Sequence, residues 1–328
     1  MSQALLQVEH LKIHFPVAKG FGRKAETVKA VDGVSFEVQR GEVFGIVGES
    51  GCGKSTLSRG VCKLENPTGG SVVFDGEDIT GYKGKAMRPV RKKMQMVFQD
   101  PYSSLNPRMS VFEIVAEPLV EHKLTRSKAE LNERVLELIY RVGLDQYHLR
   151  RYPHEFSGGQ RQRIGIARAL AVEPMLIIAD EPVSALDVSI QAQVLNLMNK
   201  LKKELNLTYI FIAHDLSVVE FISDRIGVMY LGNFVEVGDK ESIYQNPLHP
   251  YTQALLSAIP IPDPEVKSER IFLEGSIPSP LNPPKGCKFH TRCAKRMQIC
   301  SEVEPRRYQK DAEHYVYCHL YDGKEKGE

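Results

Sequence analysis

No run of this chain approaches the roughly 20 consecutive apolar residues that a membrane-crossing helix requires, so a helical bilayer span is excluded. The opening MSQALLQVEHLKIHF also lacks a basic stretch followed by a continuous apolar one, the mark of a secretory leader, and the chain is expected to stay in the cytosol. Charge of one sign is equally scarce. Lys and Arg total 43 against 41 Asp and Glu, leaving +2, which gives no electrostatic footprint for nucleic acid. The one local basic run, KGKAMRPVRKK from Lys83 to Lys93, reads as a solvated surface. Cysteine is sparse until late: Cys52 and Cys62 stand apart, whereas Cys287, Cys293, Cys300 and Cys318 crowd together. In a reducing compartment such a late cluster points to metal rather than to disulfides.

What is present describes a globular protein. A hydrophobic share of 42% and a charged share of 26% suit a packed core, and 328 residues leave room for two domains or for one large domain with appendages. The first stretch alternates apolar and polar residues (Leu6, Val8, Leu11, Ile13, Phe15), and Val34 to Val38 does so again, which predicts an antiparallel flank. Glu42 to Val47 is a short apolar strand that runs into a glycine-rich turn, and Lys54 to Leu64 is helical in pattern. Met94 to Phe98 is a further strand. Residues from about Val111 to Ala171 carry helical periodicity, as in Val135, Leu136, Leu138, Ile139 and Val142, and predict an inserted helical subdomain. Buried strands return at Met175 to Ala179 and Tyr209 to Ala213 around a helix through Gln191 to Leu205, the order of a parallel sheet with crossover helices. The core is therefore α/β. From Asn246 prolines multiply (Pro247, Pro250, Pro260, Pro262, Pro264, Pro278, Pro280, Pro283, Pro284) and exclude long regular elements, so a loop-rich tail begins there.

Two motifs carry phosphate chemistry. Gly48 to Ser55 reads GESGCGKS and matches G-x-x-x-x-G-K-[ST], with Thr56 following. The glycines (Gly48, Gly51, Gly53), with Ser50 and Cys52 between them, let backbone N–H groups converge on phosphates. Lys54 can reach the β and γ oxygens, and Ser55 offers a hydroxyl to Mg²⁺. Cys52 reads as a small spacer whose backbone matters. Leu176 to Glu181 reads LIIADE, an apolar strand ending in two acids. A helix N-cap is the bland alternative, but beside a phosphate loop Asp180 is placed to hold Mg²⁺ and Glu181 to polarise the attacking water.

A family then comes into view. Phe156 to Arg161 reads FSGGQR, which closely resembles the signature motif of ABC ATPases and precedes LIIADE as it does there. Gln99 in MVFQD resembles the Q-loop, Ser184 to Asp187 (SALD) the D-loop and His214 in IAHD the H-loop, so the resemblance covers roughly residues 5 to 240. It implies a P-loop NTPase core that hydrolyses Mg-ATP and works as a head-to-tail dimer with a second, identical or paralogous, ATPase subunit. In that dimer Ser157, Gly158, Gly159 and Gln160 would face the γ-phosphate held by the other subunit. Gln99 would sense Mg²⁺ and γ-phosphate, His214 would hold the γ-phosphate and water in line, and Asp187 would couple the two sites. An aromatic usually stacks on adenine from the first strand region, and Phe15 is the candidate by position, with strand core as its alternative.

Two later stretches narrow the cargo. Asn246 to Pro260 (NPLHPYTQALLSAIP) and Gly275 to Cys293 (GSIPSPLNPPKGCKFHTRC) closely resemble the C-terminal extension of ATPases serving oligopeptide and dipeptide importers, nickel-linked relatives included, and MVFQDPYSSLNPRM is typical of the same group. The expected division is a nucleotide-binding domain over 1–245, its helical subdomain over about 100–172, and the extension over 246–328. The resemblance implies two transmembrane permease partners, an external peptide-binding protein acting indirectly, and a peripheral place on the cytoplasmic face of a prokaryotic membrane. The late cysteines are spaced C-x5-C-x6-C-x17-C, a soft-ligand set suited to Zn²⁺ or an iron–sulfur cluster. Relatives of this subfamily carry a [4Fe-4S] cluster here, which favours the cluster, with Zn²⁺ and free thiols left open. Its expected role is to staple a proline-rich tail.

Rival functions fare worse. ABC proteins of DNA repair or translation generally carry a long coiled-coil insertion or two tandem cassettes, and this chain has one cassette and no strongly basic face. A regulatory protein whose ATP site merely gates binding does not need the complete catalytic set seen here.

Overall fold

The computed structural model describes residues 4–17, 26–259 and 270–323; Pro260, Pro262 and Pro264 lie outside them. Contacts divide the chain into two compact units. One comprises Gln39–Glu42 and Gly81–Ile212; the other takes the described residues up to Val38, then Val43–Thr80, then those from Ala213 onward.

In the second unit, strand Leu6–Val17 lies between Glu26–Val38 and Gly69–Phe74, antiparallel to both, with the short strand Glu77–Asp78 at the far edge. Leu6, Val8, Leu11 and Ile13 all point into the core. The odd spacing from Val8 to Leu11 would flip the face of a regular strand, and a register shift between those residues, with His10 at φ 47°, absorbs the extra residue as a bulge. The apolar strand Val43–Val47 is buried throughout and pairs in parallel with Arg225–Tyr230. The chain then turns through Leu231 and Gly232, both at positive φ, into Asn233–Asp239. Phe36, Phe44 and Phe234 close this core, with ring centroids 5.2 to 6.1 Å apart.

In the first unit, Met94–Val97, Leu176–Asp180 and Thr208–Ile212 form parallel neighbours, with Leu176–Asp180 in the middle. The predicted helical insertion contains Val111–Glu121, Lys128–Arg141 and Gly158–Leu170. Ser110 caps the first of these through a reciprocal pair with Glu113, and Ser127 caps the second by accepting from Glu130 N–H. The basic run forms helix Met87–Lys93, which buries only Met87 and Val90 and leaves its cations outside.

The tail is less irregular than its prolines suggest. Pro250 opens helix Pro250–Ser257, the one helical position where a missing N–H costs nothing. Strand Tyr315–Tyr317 adds itself antiparallel to Asn233–Asp239, with Glu236 opposite Val316, and Arg307–Gln309 pairs with it in turn. Among the described residues no helix is long and apolar enough to cross a membrane.

Candidate functional site

Strand Val43–Val47 ends at Gly48, and helix Lys54–Val61 begins at Gly53, so the glycine-rich stretch is the connection between a buried strand and a helix N-terminus. Gly53 sits at φ 108°, where a Cβ would lie 2.2 Å from the Ala30 carbonyl oxygen; at Gly48 a Cβ would lie 2.2 Å from the Met229 carbonyl. Only glycine fits either place. The helix has no side-chain cap at Gly53, and the positive end of its dipole at that terminus suits an anion. Lys54 is buried, and its Nζ donates to the carbonyls of Gly48 at 2.7 Å and Glu49 at 3.1 Å. The cation is thus folded over the loop it serves. Ser50 and Gly51 are exposed at the tip, and Ser55 and Thr56 are half-buried in the first turn. Cys52 is buried, and burial above all pushes its thiol up, away from reactive thiolate, in keeping with a spacer.

The acidic pair stands in the other unit. Asp180 is buried at the end of Leu176–Asp180, and Glu181 follows at φ 45°, a left-handed conformation that a non-glycine residue holds only where its surroundings enforce it. Its N–H donates to the Ile212 carbonyl at 2.9 Å, and Ser184 Oγ donates to its carbonyl at 3.0 Å. Gln99, two residues beyond Met94–Val97, donates its side-chain amide to the Glu181 carboxylate at 2.9 Å. The parallel pairing of these two strands brings both side chains to one sheet edge.

The signature stretch opens helix Gly158–Leu170. Ser157 is its N-cap, accepting from Gln160 N–H, while Gln160 Oε1 accepts from Ser157 N–H at 3.1 Å. A Cβ on Gly159 would meet Ile190 Cγ2 at 2.2 Å, so this glycine is required by packing against helix Val188–Leu205. Asp187 caps that helix: its carboxylate accepts from Ile190 N–H at 3.1 Å and from Ser189 Oγ at 2.8 Å, which holds it below the usual carboxylate range. The sequence alone did not reveal how the segment after Gln99 is anchored. Arg168 donates to the Ser104 carbonyl at 2.7 Å, and Arg161 stands 4.9 Å over the Tyr102 ring, so two arginines of the signature helix hold the Gln99 to Met109 stretch.

His214 is exposed immediately after Thr208–Ile212 and Ala213. Phe15 is 37% exposed on its strand opposite Val28, so it is not a core residue. None of the late cysteines forms a disulfide; Cys293 and Cys300 stand close enough to Cys287, and Cys287, Cys293 and Cys300 close enough to Cys318, to add to the proton affinity of those two thiols. Burial chiefly pushes Cys287 up to about 11 and Cys318 to about 12. The amides of Phe289, Lys295 and Leu320, each two residues on, donate to the sulfurs of Cys287, Cys293 and Cys318, and Met297 N–H donates to Cys300 Sγ at 3.4 Å. Among the described residues no group of three or more His, Cys, Asp or Glu side chains is set to hold a metal ion.

Comparison with known proteins shows the family to which the chain belongs. The family described as ABC transporter matches residues 31–184, and that described as Oligopeptide/dipeptide transporter, C-terminal region, matches 235–300. The Oligopeptide transport ATP-binding protein AppF of Bacillus subtilis is 57% identical over 97% of this chain and 98% of its own length. The Dipeptide transport ATP-binding protein DppF of Escherichia coli is 54% identical over 93% of this chain and 91% of its own. Among solved structures, the ATP-binding cassette MJ0796, as a post-hydrolysis dimer bound to ADP and Pi, superposes with a TM-score of 0.65 at 29% identity, covering 72% of this chain and 98% of that one.

Proposed function

Since the chain belongs to the ABC transporter ATPases, in the branch that carries the oligopeptide/dipeptide C-terminal region, we propose that it powers uptake of dipeptides or oligopeptides across the cytoplasmic membrane. The chain is an ABC ATPase, and its γ-phosphoryl chemistry is mostly positioning and electrostatics. Lys54 and the amides of the glycine loop hold the phosphates. Glu181 accepts the proton of the attacking water, and His214 keeps water and γ-phosphate in line. Phe15 stacks on adenine; its exposure supports this over strand core. Ser157, Gly158, Gly159 and Gln160 present a capped helix N-terminus to the phosphate of a second cassette, and Asp187 couples the two sites.

A bound Mg²⁺ would supply neutralisation of the triphosphate charge. The donors that would hold it, the Ser55 hydroxyl, the buried Asp180 carboxylate and the Gln99 amide oxygen, are the hard oxygens it requires. Movement passes to the permeases through the Gln99 to Met109 segment, a reading supported by its two-arginine attachment to the signature helix. An external binding protein and two permeases supply cargo specificity, and the chain works at the cytoplasmic face of the membrane.

The four thiols form an iron–sulfur site in this reading, with Zn²⁺ as the alternative. The backbone N–H groups that meet all four sulfurs support this reading, since N–H groups aimed at sulfur stabilise a thiolate ligand. A bound cluster would cross-link the tail.

One observation carries the proposal: an uncapped helix N-terminus entered through obligatory glycines, with a buried lysine bent over it. The deciding experiment is ATP turnover and peptide uptake by the chain reconstituted with its permeases. Both are expected to depend on Lys54 and Glu181, and an intact chain inert under those conditions overturns the proposal.

A further inference from the structure

We infer that the C-terminal extension is a working part of the nucleotide site: Arg292 and Tyr251 hold Glu49, the second residue of the phosphate loop, and thereby set the loop's affinity for ATP. The inference rests on the ATPase reading above, and gives Tyr251 and Arg292 a role that the resemblance of their stretches does not assign.

Every polar group of Glu49 is committed. Its N–H donates to Tyr251 Oη at 2.9 Å, and its carbonyl accepts from Lys54 Nζ at 3.1 Å. Its carboxylate receives both Nη atoms of Arg292, at 2.6 and 3.0 Å, in a bidentate fork. Arg292 is 7% exposed and Glu49 24%, so the pair is shielded from screening by solvent. The bonds to Glu49 are the main reason why the guanidinium holds its proton more tightly than usual. Both anchors belong to the extension. Tyr251 lies in helix Pro250–Ser257, and Arg292 ends the turn His290–Arg292, one residue before Cys293. Tyr230, Tyr251 and Phe289 pack ring against ring at 4.8 to 5.3 Å, and Arg292 lies 6.0 Å over Tyr230.

The physical reason is charge. A carboxylate inside a loop built to receive a triphosphate repels its ligand unless it is neutralised and turned aside, and Arg292 does both. Tyr251 fixes the peptide on the amide side of the same residue. Because Arg292 sits between Cys287 and Cys293, whatever holds the thiol loop in shape also holds the phosphate loop.

The test is calorimetric titration of ATP into the full chain, alongside KM and kcat with its permeases and a thermal midpoint for each variant. Arg292→Ala leaves a bare carboxylate and is expected to raise Kd and KM for ATP about tenfold while kcat changes little. The double variant Glu49→Gln/Arg292→Ala loses the same tail contact and shows the same fall in midpoint, yet returns to within about twofold of wild-type affinity, because no charge remains to repel. A merely structural clamp would leave both variants equally affected, and that result overturns the inference. Should Arg292→Ala fail to fold, Tyr251→Phe decides: it keeps the ring, removes only the acceptor, and is expected to bind ATP roughly threefold more weakly. Wild-type affinity in Tyr251→Phe then overturns it. A wild-type chain that binds no ATP defeats the ATPase reading instead, so the two failures are distinguishable.

Discussion

Gln99 donates its side-chain amide to the Glu181 carboxylate at 2.9 Å, joining the residue that would sense the γ-phosphate to the residue that would activate water. Glu181 is held at φ 45° by its bond to the Ile212 carbonyl, so its position is imposed by the sheet. Glu181→Gln preserves shape and removes the base. ATP is expected to bind as before while turnover falls about 10²- to 10⁴-fold, and ATP-bound dimers accumulate on size exclusion. Normal hydrolysis by this variant refutes the assignment of the base.

The glycine loop should discriminate sharply between neighbouring positions. In Gly53→Ala a methyl group would stand 2.2 Å from the Ala30 carbonyl at φ 108°, and because that obstacle is backbone it cannot swing away. Such overpacking and strain together are expected to cost about 2 to 4 kcal/mol and to abolish ATP binding. Cys52→Ala removes only a buried sulfur from a residue that needs no special backbone, and ATP turnover is expected to stay within about threefold of wild type. Thermal midpoints and nucleotide titrations of the two variants check the contrast; a strong loss in Cys52→Ala would instead give the thiol a role of its own.

Much of this was legible in the residues because phosphate chemistry demands particular types at particular spacings. Gly48, Gly53 and Lys54, the strand ending in Asp180 and the helix after Ser157 stand as their motifs imply. The bulge after Val8 was latent in the odd step to Leu11. What escaped was non-local. The run Arg225 to Tyr230 shows no clean alternation because it is buried on both faces, and Gly69–Phe74 has too few apolar residues to announce itself. The tail strand Tyr315–Tyr317 exists only because Asn233–Asp239 offers it an edge. The anchoring of Glu49 by Arg292 spans 243 positions, and no spacing rule reaches so far.

The four late thiols invite a direct assay. Chain purified anaerobically from iron-replete cells is expected to be brown, with iron and acid-labile sulfide in equal amounts, about four of each per chain. Cys318→Ser should lose the colour and loosen the tail, read as faster proteolysis after helix Pro250–Ser257. Colourless protein that contains zinc selects the alternative ion, and protein free of any metal refutes the site.

Acid should detach the tail before it unfolds the rest, through His249. This side chain is buried among Phe289, Tyr251 and Glu236, and its Nδ1 accepts from Tyr251 N–H at 3.1 Å as the cap of helix Pro250–Ser257. Burial is the main cause that brings its pKa from 6.5 down to about 4, with the nearby Glu236 opposing. A protonated ring loses the acceptor that caps the helix, so the folded state excludes the proton while the unfolded chain takes it. Between pH 6.5 and about 4 the unfolded state therefore binds more protons, and stability declines as pH falls through that window. The full excursion corresponds to about 3 kcal/mol, and above pH 6.5 this contribution is constant. Hydrogen exchange of the Pro250–Ser257 amides is expected to accelerate as pH drops from 7 to 5, after correction for the intrinsic rate. In His249→Asn, which retains a capping oxygen without a titrating ring, the corrected rates should be higher at pH 7 but flat across the window. An unchanged slope in that variant would refute His249 as the source of the acid sensitivity.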